Sequence, residues 1–393
     1  MSAPRIAIAY DCLFPYTTGG GERLYRSYAE HLDDLGWDVD YLTAVQWEGA
    51  PPAEDAFTVT PVVGRLRLYD GRGVRRNAAA LSFAFGLFRH LLRHRRSYDA
   101  VIVGALPILN VFAARIALAG SRTRLVADYL EVWGRAQWVE YAGGLWGNVA
   151  WALQRAAVRI TPIATCHSQL TARQLRREGL RSRLLVSPGL IDGASDVTPR
   201  PADDPAYVIY AGRHIADKRV ETIPAAVAQA RRELPGLELV ILGSGPTSDD
   251  IRAAVADADG AAWVRMPGFV SEEELSRLVG GAAALVNPSR REGYGLVVVE
   301  ASAHGTPVIL VDDDGNAATE LVEPGRNGFV ARSAAPADLA HEIVAAVRAG
   351  QPLRASARSW YEEALRTRTV RRTTENIARA LDANAPTTKD APR

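Results

Sequence analysis

Two glutamates open the functional reading of this sequence. In NPSRREGYGLVVVEASAHG, residues 287 to 305, Glu292 sits in a glycine-flanked loop and Glu300 follows eight positions later inside an apolar run. An apolar strand leads into this stretch and a helical pattern leaves it. Gly293, Tyr294 and Gly295 therefore fall at a strand-to-helix turn, where the N–H groups of Gly295 and Leu296 can bind a diphosphate. Glu300, about a turn and a half into the helix, is expected out of solvent and able to accept two hydrogen bonds from a ribose diol. Glu292 is expected to face the reacting group. A capping acid and an incidental helix acid would look the same in sequence.

Two further stretches complete the chemistry. YAGRHIADKRVE, residues 210 to 221, carries Arg213 and Lys218 in a loop at the carboxyl end of a strand. Two cations there suit a pyrophosphate whose charge grows as it leaves, although a solvated basic loop has the same composition. TTGGGERLYRSYAEHL, residues 17 to 32, opens an amphipathic helix with Gly19 to Gly21. Its spacing is not that of the dinucleotide fingerprint, but glycines at a helix start let backbone N–H groups approach a phosphate or sugar.

The elements that must position these residues alternate short apolar runs with longer amphipathic ones, the pattern of βα units and parallel sheets. Strands are expected at 5–10, 38–43, 100–105 and 124–129, and in a second series at 207–212, 237–242, 262–268, 284–288 and 307–311. The chain has 393 residues, beyond the roughly 250 to 300 at which a single core stops growing. We therefore expect an α/β protein of two doubly wound Rossmann-like domains facing a cleft, with ligands outside the carboxyl ends of the strands. The expected boundaries are 1–195 for an N-terminal Rossmann-like domain, 196–206 for a linker, 207–352 for a C-terminal Rossmann-like domain and 353–381 for a long charged helix. A polar, disordered tail is expected over 382–393.

Composition narrows the function. Forty-six basic and forty-five acidic residues leave a net charge of +1, so no overall field draws the protein to nucleic acid. Cys12 and Cys166 are the only cysteines, too few for a disulfide framework or a cysteine-based metal site. No apolar run has the length of a signal peptide or a membrane span, which gives an expected cytoplasmic location. One local field stands out: residues 65 to 96 hold nine arginines and one acid. The end of this stretch, LSFAFGLFRHLLRH, has a broad apolar face and a basic terminus. That suits peripheral contact with the inner face of a membrane or an anionic lipid, and a helix packed on a sheet would show it too.

Taken together, GGGERLYRSYAEHLDDLGWDVDYLT, RLLVSPGLID, AGRHIADKRVETI, LVILGSGP, MPGFVSEEEL, NPSRREGYGLVVVEASAHGTPVI and ELVEPGRNGFV resemble the retaining nucleotide-sugar glycosyltransferases of family 4, with their GT-B fold and Glu-seven-residues-Glu motif. The resemblance spans about residues 5 to 380, and it implies that domain 1–195 is the acceptor side, that domain 207–352 binds the nucleotide sugar and that the helix over 353–381 crosses back to the first domain. It implies that Arg213 and Lys218 neutralise the donor diphosphate and that Glu292 lies beside the transferred sugar. It also implies that Gly295 and Leu296 offer backbone N–H groups and that Glu300 holds the ribose. Gly268, Phe269 and Val270 fall where the family meets the base, and Gly20 and Gly21 where a loop closes over the donor.

The implied reaction moves a hexose from GDP-mannose or a UDP-hexose to a hydroxyl of a glycan, lipid-linked or small-molecule acceptor, as in cell-envelope or polysaccharide biosynthesis. It needs no metal ion, cofactor or nucleic-acid partner. One departure concerns a histidine that many members carry at the end of an N-domain strand. The corresponding VADYLEVWGRAQWVEY has none, which points to Asp128, Glu131 and Trp133 as acceptor-side candidates. Trp133, Trp138 and Tyr141 could equally form an aromatic cluster, and His167 is expected to be structural. A GT-B sugar-nucleotide epimerase is the nearer alternative. An NAD-dependent oxidoreductase is the farther one, since it lacks the well-placed glycine fingerprint.

Overall fold

The computed structural model describes residues 3–17, 19–68, 75–192 and 197–382. Contacts divide the chain into two units, one running to Asp192 and resuming at Arg368, the other ending at Thr367. The first contains β1 (Arg5–Ala9), α1 (Gly20–Asp34), β2 (Asp38–Ala44), β3 (Thr58–Val63), α2 (Asn77–His94), β4 (Ala100–Gly104), α3 (Leu109–Ala117), β5 (Arg124–Tyr129), α4 (Arg135–Ala142), α5 (Gly144–Ile160), β6 (Ile163–Cys166), α6 (Gln169–Arg177) and β7 (Arg183–Val186). The second contains β8 (Tyr207–Ala211), α7 (Ile223–Ala230), β9 (Glu238–Leu242), α8 (Ser248–Asp257), β10 (Val264–Gly268), α9 (Glu272–Gly281), β11 (Ala284–Asn287), β12 (Arg291–Glu292), α10 (Leu296–Ala303), β13 (Val308–Val311), β14 (Gly315–Asn316), β15 (Gly328–Ala331) and α11 (Pro336–Ala364). The last helix, α12 (Val370–Asp382), returns to the first unit.

Each unit is a parallel sheet between helices. The first sheet has the order β3-β2-β1-β4-β5-β6-β7 and the second β10-β9-β8-β11-β13-β15, while β12 and β14 form a separate short pair. Strands such as β4 and β13 are buried at every residue, which is why they read as unbroken apolar runs rather than alternating ones. Over one face of the first sheet, Phe83 and Leu87 of α2, Val111 and Ala114 of α3, Val158 of α5 and Leu175 of α6 join strand residues in a single core. Full burial of a Leu or Phe side chain contributes about 1.5–3 kcal/mol. Helix α1 buries Leu24, Tyr25, Tyr28 and Leu32, a helical stripe, and packs against α12.

Several boundaries differ from those expected. Strands β3, β6, β7, β12, β14 and β15 were not foreseen. All but β3 have four residues or fewer, and β6 and β7 lack the bounded apolar run that marks a strand in sequence. The stretch read as a linker is, from Val197 on, bound to the second unit: Arg358 donates to the Val197 carbonyl (3.3 Å), Arg354 to that of Arg200 (2.7 Å), and Asp203 N–H to that of Gly281 (2.8 Å). The crossing helix expected over 353–381 is two helices. Its first part completes α11 beyond a kink at Gly350, where φ is 54° and Pro352 follows. Its second part is α12, joined to the first unit by Thr373 donating to the Gly189 carbonyl (2.6 Å) and Arg183 donating to that of Ala380 (3.1 Å). Beyond Asp382 the expected tail lies outside the described residues, as do residues 69–74 of the basic stretch and residues 193–196, which include the first position of the expected linker.

Candidate active site

The second unit gathers its polar side chains at the carboxyl ends of β8, β9 and β11. Glycines bring two of these loops together. A Cβ on Gly243 would lie 2.0 Å from the Gly212 carbonyl oxygen, and one on Gly245 would lie 2.2 Å from that of His214, so only glycine permits the backbones to pass. His214 is buried, with Nδ1 2.9 Å from the Ser248 hydroxyl and Nε2 3.3 Å from the Leu242 carbonyl. Burial lowers its pKa, against the pull of the Leu242 carbonyl. The neutral ring thus donates to Leu242 and accepts from Ser248, fixing the loop that carries Arg213, which is exposed.

The loop then meets the segment after β11. Arg219 takes a left-handed conformation (φ 48°) between two short 3₁₀ turns. It is held there by Nε donating to the Pro288 carbonyl (2.8 Å) and by a guanidinium contact to Asp313 (3.2 Å). Asp217 accepts the Arg290 N–H at its carbonyl (2.8 Å) and pairs through its carboxylate with the largely buried Arg291 (3.0 Å). These clips bring Lys218 Nζ to 2.5 Å from Glu292 Oε1, which also accepts from Asn287 Nδ2 at 3.1 Å. Two motifs 74 residues apart thus converge on one ion pair, and both side chains keep partial solvent access, 22% and 17%.

Gly295 forms the N-cap of α10 at φ 103°, and a Cβ there would meet Ala318 at 2.4 Å. It contributes no capping side chain, so the first-turn amides, that of Leu296 included, suit an anion. Tyr294 is buried beneath the turn, and Gly293 is half-buried. Asn316 supports the turn: its Nδ2 donates to the carbonyls of Ser289 (3.2 Å) and Val311 (2.9 Å), and its Oδ1 accepts from Ala318 N–H (3.2 Å). Glu300 departs from the burial expected of it. Glu300 is exposed and Glu292 is half-buried. Val298, Val299 and Ala301 to Ala303 turn toward the core, which leaves Glu300 on the outer side of the helix. At the edge strand β10, Gly268 has φ 80° and its carbonyl accepts the Gly243 N–H (2.8 Å). Phe269 beyond it is 78% exposed, and Val270 is half-buried.

The first-unit candidates are tied up locally. Gly20 begins α1, and a Cβ on Gly21 would lie 2.8 Å from the Tyr10 hydroxyl. Asp128 is 1% exposed and accepts from Tyr25 (2.9 Å), from Thr165 and from His167 Nε2 (3.0 Å). It is therefore a buried acceptor for its own unit rather than an exposed one for a substrate. Glu131 accepts from the Trp133 indole (2.8 Å). Trp133, Trp138 and Tyr141 do form the aromatic cluster, with ring centroids 4.9 to 6.3 Å apart, organised by Gln154. Sequence reasoning missed Asn287, Arg219, Asp217 with Arg291, His214 and Asn316. Asn287 alone carried a signal, as a polar residue closing an apolar strand just before proline.

Two family models match in tandem. "Glycosyltransferase Family 4" covers residues 18–193 and "Glycosyl transferases group 1" residues 195–364. The chain has the fold and the paired domains of a GT-B glycosyltransferase. The glycogen synthase of Mycobacterium tuberculosis is 33% identical over 201 residues, which is 51% of this chain and 46% of that enzyme. The chain thus matches about half the length of this curated relative. Among solved structures, sucrose-phosphate synthase from Thermosynechococcus elongatus superposes with a TM-score of 0.77 at 18% identity, over 97% of this chain and 100% of the other. Anabaena HepE in complex with UDP and glucose gives 0.68 at 17% identity, over 97% and 100%. No helix among the described residues is long and apolar enough to cross a membrane.

Proposed function

We propose that this GT-B protein is a retaining hexosyltransferase that uses a nucleoside-diphosphate sugar, UDP-hexose or GDP-mannose, and glycosylates a hydroxyl of a glycan, lipid-linked or small-molecule acceptor. A role in cell-envelope or polysaccharide biosynthesis follows from that chemistry. The observation that carries the reading is the meeting of Lys218 with Glu292 beside the open N-terminus of α10. A cation, an acid and backbone donors brought together suit a sugar diphosphate, which supports the reading. The glycogen synthase match and the UDP and glucose bound to HepE support the donor class.

In this reading the acceptor hydroxyl oxygen attacks the anomeric carbon from the side the diphosphate leaves. The bond from that carbon to the β-phosphate oxygen breaks, and the hydroxyl proton passes to the departing phosphate. Lys218 and Arg213 neutralise the growing charge, with the amides of Gly295 and Leu296 alongside, and this stabilisation is the main catalytic term. Glu292 orients Lys218 and faces the transferred sugar. Glu300, on the outer side of α10, accepts from the ribose hydroxyls, while Gly268 to Val270 border the base and Gly20 and Gly21 close over the donor. Glu131 and Trp133 remain the acceptor-side candidates of the first unit. Charge neutralisation falls to side chains and amides, so EDTA leaves turnover unchanged.

The test is release of nucleoside diphosphate from UDP-glucose, UDP-N-acetylglucosamine and GDP-mannose across sugar-phosphate, oligosaccharide and lipid-linked acceptors, with product configuration read by NMR. Transfer from one donor series with the anomeric configuration kept supports the reading. Inversion, or conversion of the donor without any acceptor as an epimerase would perform, contradicts it.

A further inference from the structure

Among the described residues, the outer side of the helical layer in the first unit carries most of the strongly exposed large apolar side chains. Helices α2, α3, α5 and α6 cover one face of the sheet, and α3 packs against both α2 and α5. Their inner sides form the core, so their outer sides should be polar. Instead Leu81, Phe85 and Leu92 of α2 are 59%, 67% and 44% exposed, Ile116 of α3 61%, and Leu145 and Trp146 of α5 73% and 68%. Single exposed apolar residues are ordinary, but a run of large ones across neighbouring helices marks an interaction surface. In the second unit, among the described residues, Phe269 is the one large apolar side chain exposed to this degree.

Charge identifies the partner. The chain as a whole is nearly neutral at +1, yet residues 71 to 177 hold sixteen arginines and four acids, Asp99, Asp128, Glu131 and Glu140. Asp128 is sealed in the core, and Glu131 is bonded to Trp133. Helices α2, α3 and α5 contain no acid at all. Arg89, Arg93 and Arg115 are exposed among the apolar side chains named above, and Arg96 and Arg122 just beyond the ends of α2 and α3 are exposed as well. A basic, aromatic and aliphatic surface whose three helices carry no acid of their own, with Glu178 against α5 accepting from the Trp151 indole (2.9 Å), is complementary to a bilayer carrying anionic headgroups. Arginines engage the phosphates while Phe, Leu and Trp enter the interface.

We propose that the outer surface of α2, α3 and α5 is a membrane-docking face for anionic lipid, so that the first unit works at a bilayer surface without spanning it. The inference is independent of the transfer reaction. It moves the expected contact from the basic stretch 65 to 96 alone to three helices, with α3 and α5 contributing as much as α2.

Co-flotation of the full chain with vesicles of phosphatidylcholine alone, or mixed with a third phosphatidylglycerol, tests it. Protein at low micromolar concentration should float with the anionic vesicles and stay behind with the neutral ones, and 0.5 M salt should reduce binding severalfold. Phe85→Ser with Trp146→Ser, and separately Arg89→Glu with Arg93→Glu, should each lower the bound fraction at least tenfold. These positions are exposed, and unchanged melting curves would confirm intact folding. Absence of flotation on anionic vesicles, equal flotation on neutral ones, or full binding by both double variants overturns the proposal. So does a stable dimer, seen by light scattering, that the Phe85→Ser and Trp146→Ser pair dissociates, because the face would then be covered by a second copy.

Discussion

The two units share an architecture and use the ends of their strands in opposite ways. In the second, the loops after β8, β9 and β11 keep Arg213, Lys218, Glu292 and the first turn of α10 within reach of solvent. In the first, the matching positions close on themselves: Asp128 at the end of β5 takes hydrogen bonds from Tyr25, Thr165 and His167, and all four are buried. Their outer surfaces differ in the reverse sense, polar in the second unit and apolar with arginine over α2, α3 and α5 in the first. A parallel sheet offers a site at its carboxyl end, but whether that site is open depends on the side chains that stand there.

If that contrast is right, removing the cation from the second unit should strike function far more than folding. Lys218→Ala should lower turnover about 100-fold, the scale for losing one preorganised charge donor, with melting shifted by only a few degrees. A variant with near-normal turnover would break the comparison. In the first unit the opposite is expected. Asp128→Asn should cost about 2 kcal/mol of stability, because a buried histidine and two hydroxyls compete for a poorer acceptor. Chemical denaturation measures this, and nucleotide affinity should be unchanged.

Smaller effects sharpen the same contrast. Gly295→Ala puts a Cβ 2.4 Å from that of Ala318 at a left-handed φ, so about 1–2 kcal/mol of stability should be lost. Nucleotide affinity should fall in parallel, since the displaced turn carries the Leu296 amide. The smallest is a pH dependence. Burial lowers the pKa of His304 to about 4, with Arg354 and Arg358 adding to it, and lowers that of His90 to about 4 as well. These rings stay neutral in the fold while the unfolded chain takes up protons below about 6.5. Their contribution is therefore complete above about pH 6.5 and is lost as pH falls toward 4. His304→Gln should flatten the melting profile across that window, and an unaltered profile would remove His304 as its source.

The sequence showed the fold class, most central strands and, separately, a cationic loop and a glutamate loop, because those signals are local: an apolar run, then glycine, then a charge. It did not show what holds the loops together. The contacts of Asp217 with Arg291 and of Arg219 with Asp313 and the Pro288 carbonyl join segments about 70 to 95 positions apart, and they follow from β8 and β11 being neighbours. Glu300 came out exposed rather than buried for a geometric reason. Depth along a helix says nothing about its face, and each residue turns by about 100°. Glu300 points outward while the residues flanking it point in. Asp128 was misread because a carboxylate at a strand end looks alike in sequence whether it meets a substrate or a buried histidine.

The most direct test of the central claim is calorimetric titration of the full chain with UDP and with GDP, repeated on Lys218→Ala and Glu300→Ala. The account predicts that one nucleotide binds and that each substitution weakens it at least tenfold, Lys218 through the diphosphate and Glu300 through the ribose. Absence of binding by both nucleotides, or full affinity retained in both variants, would contradict it.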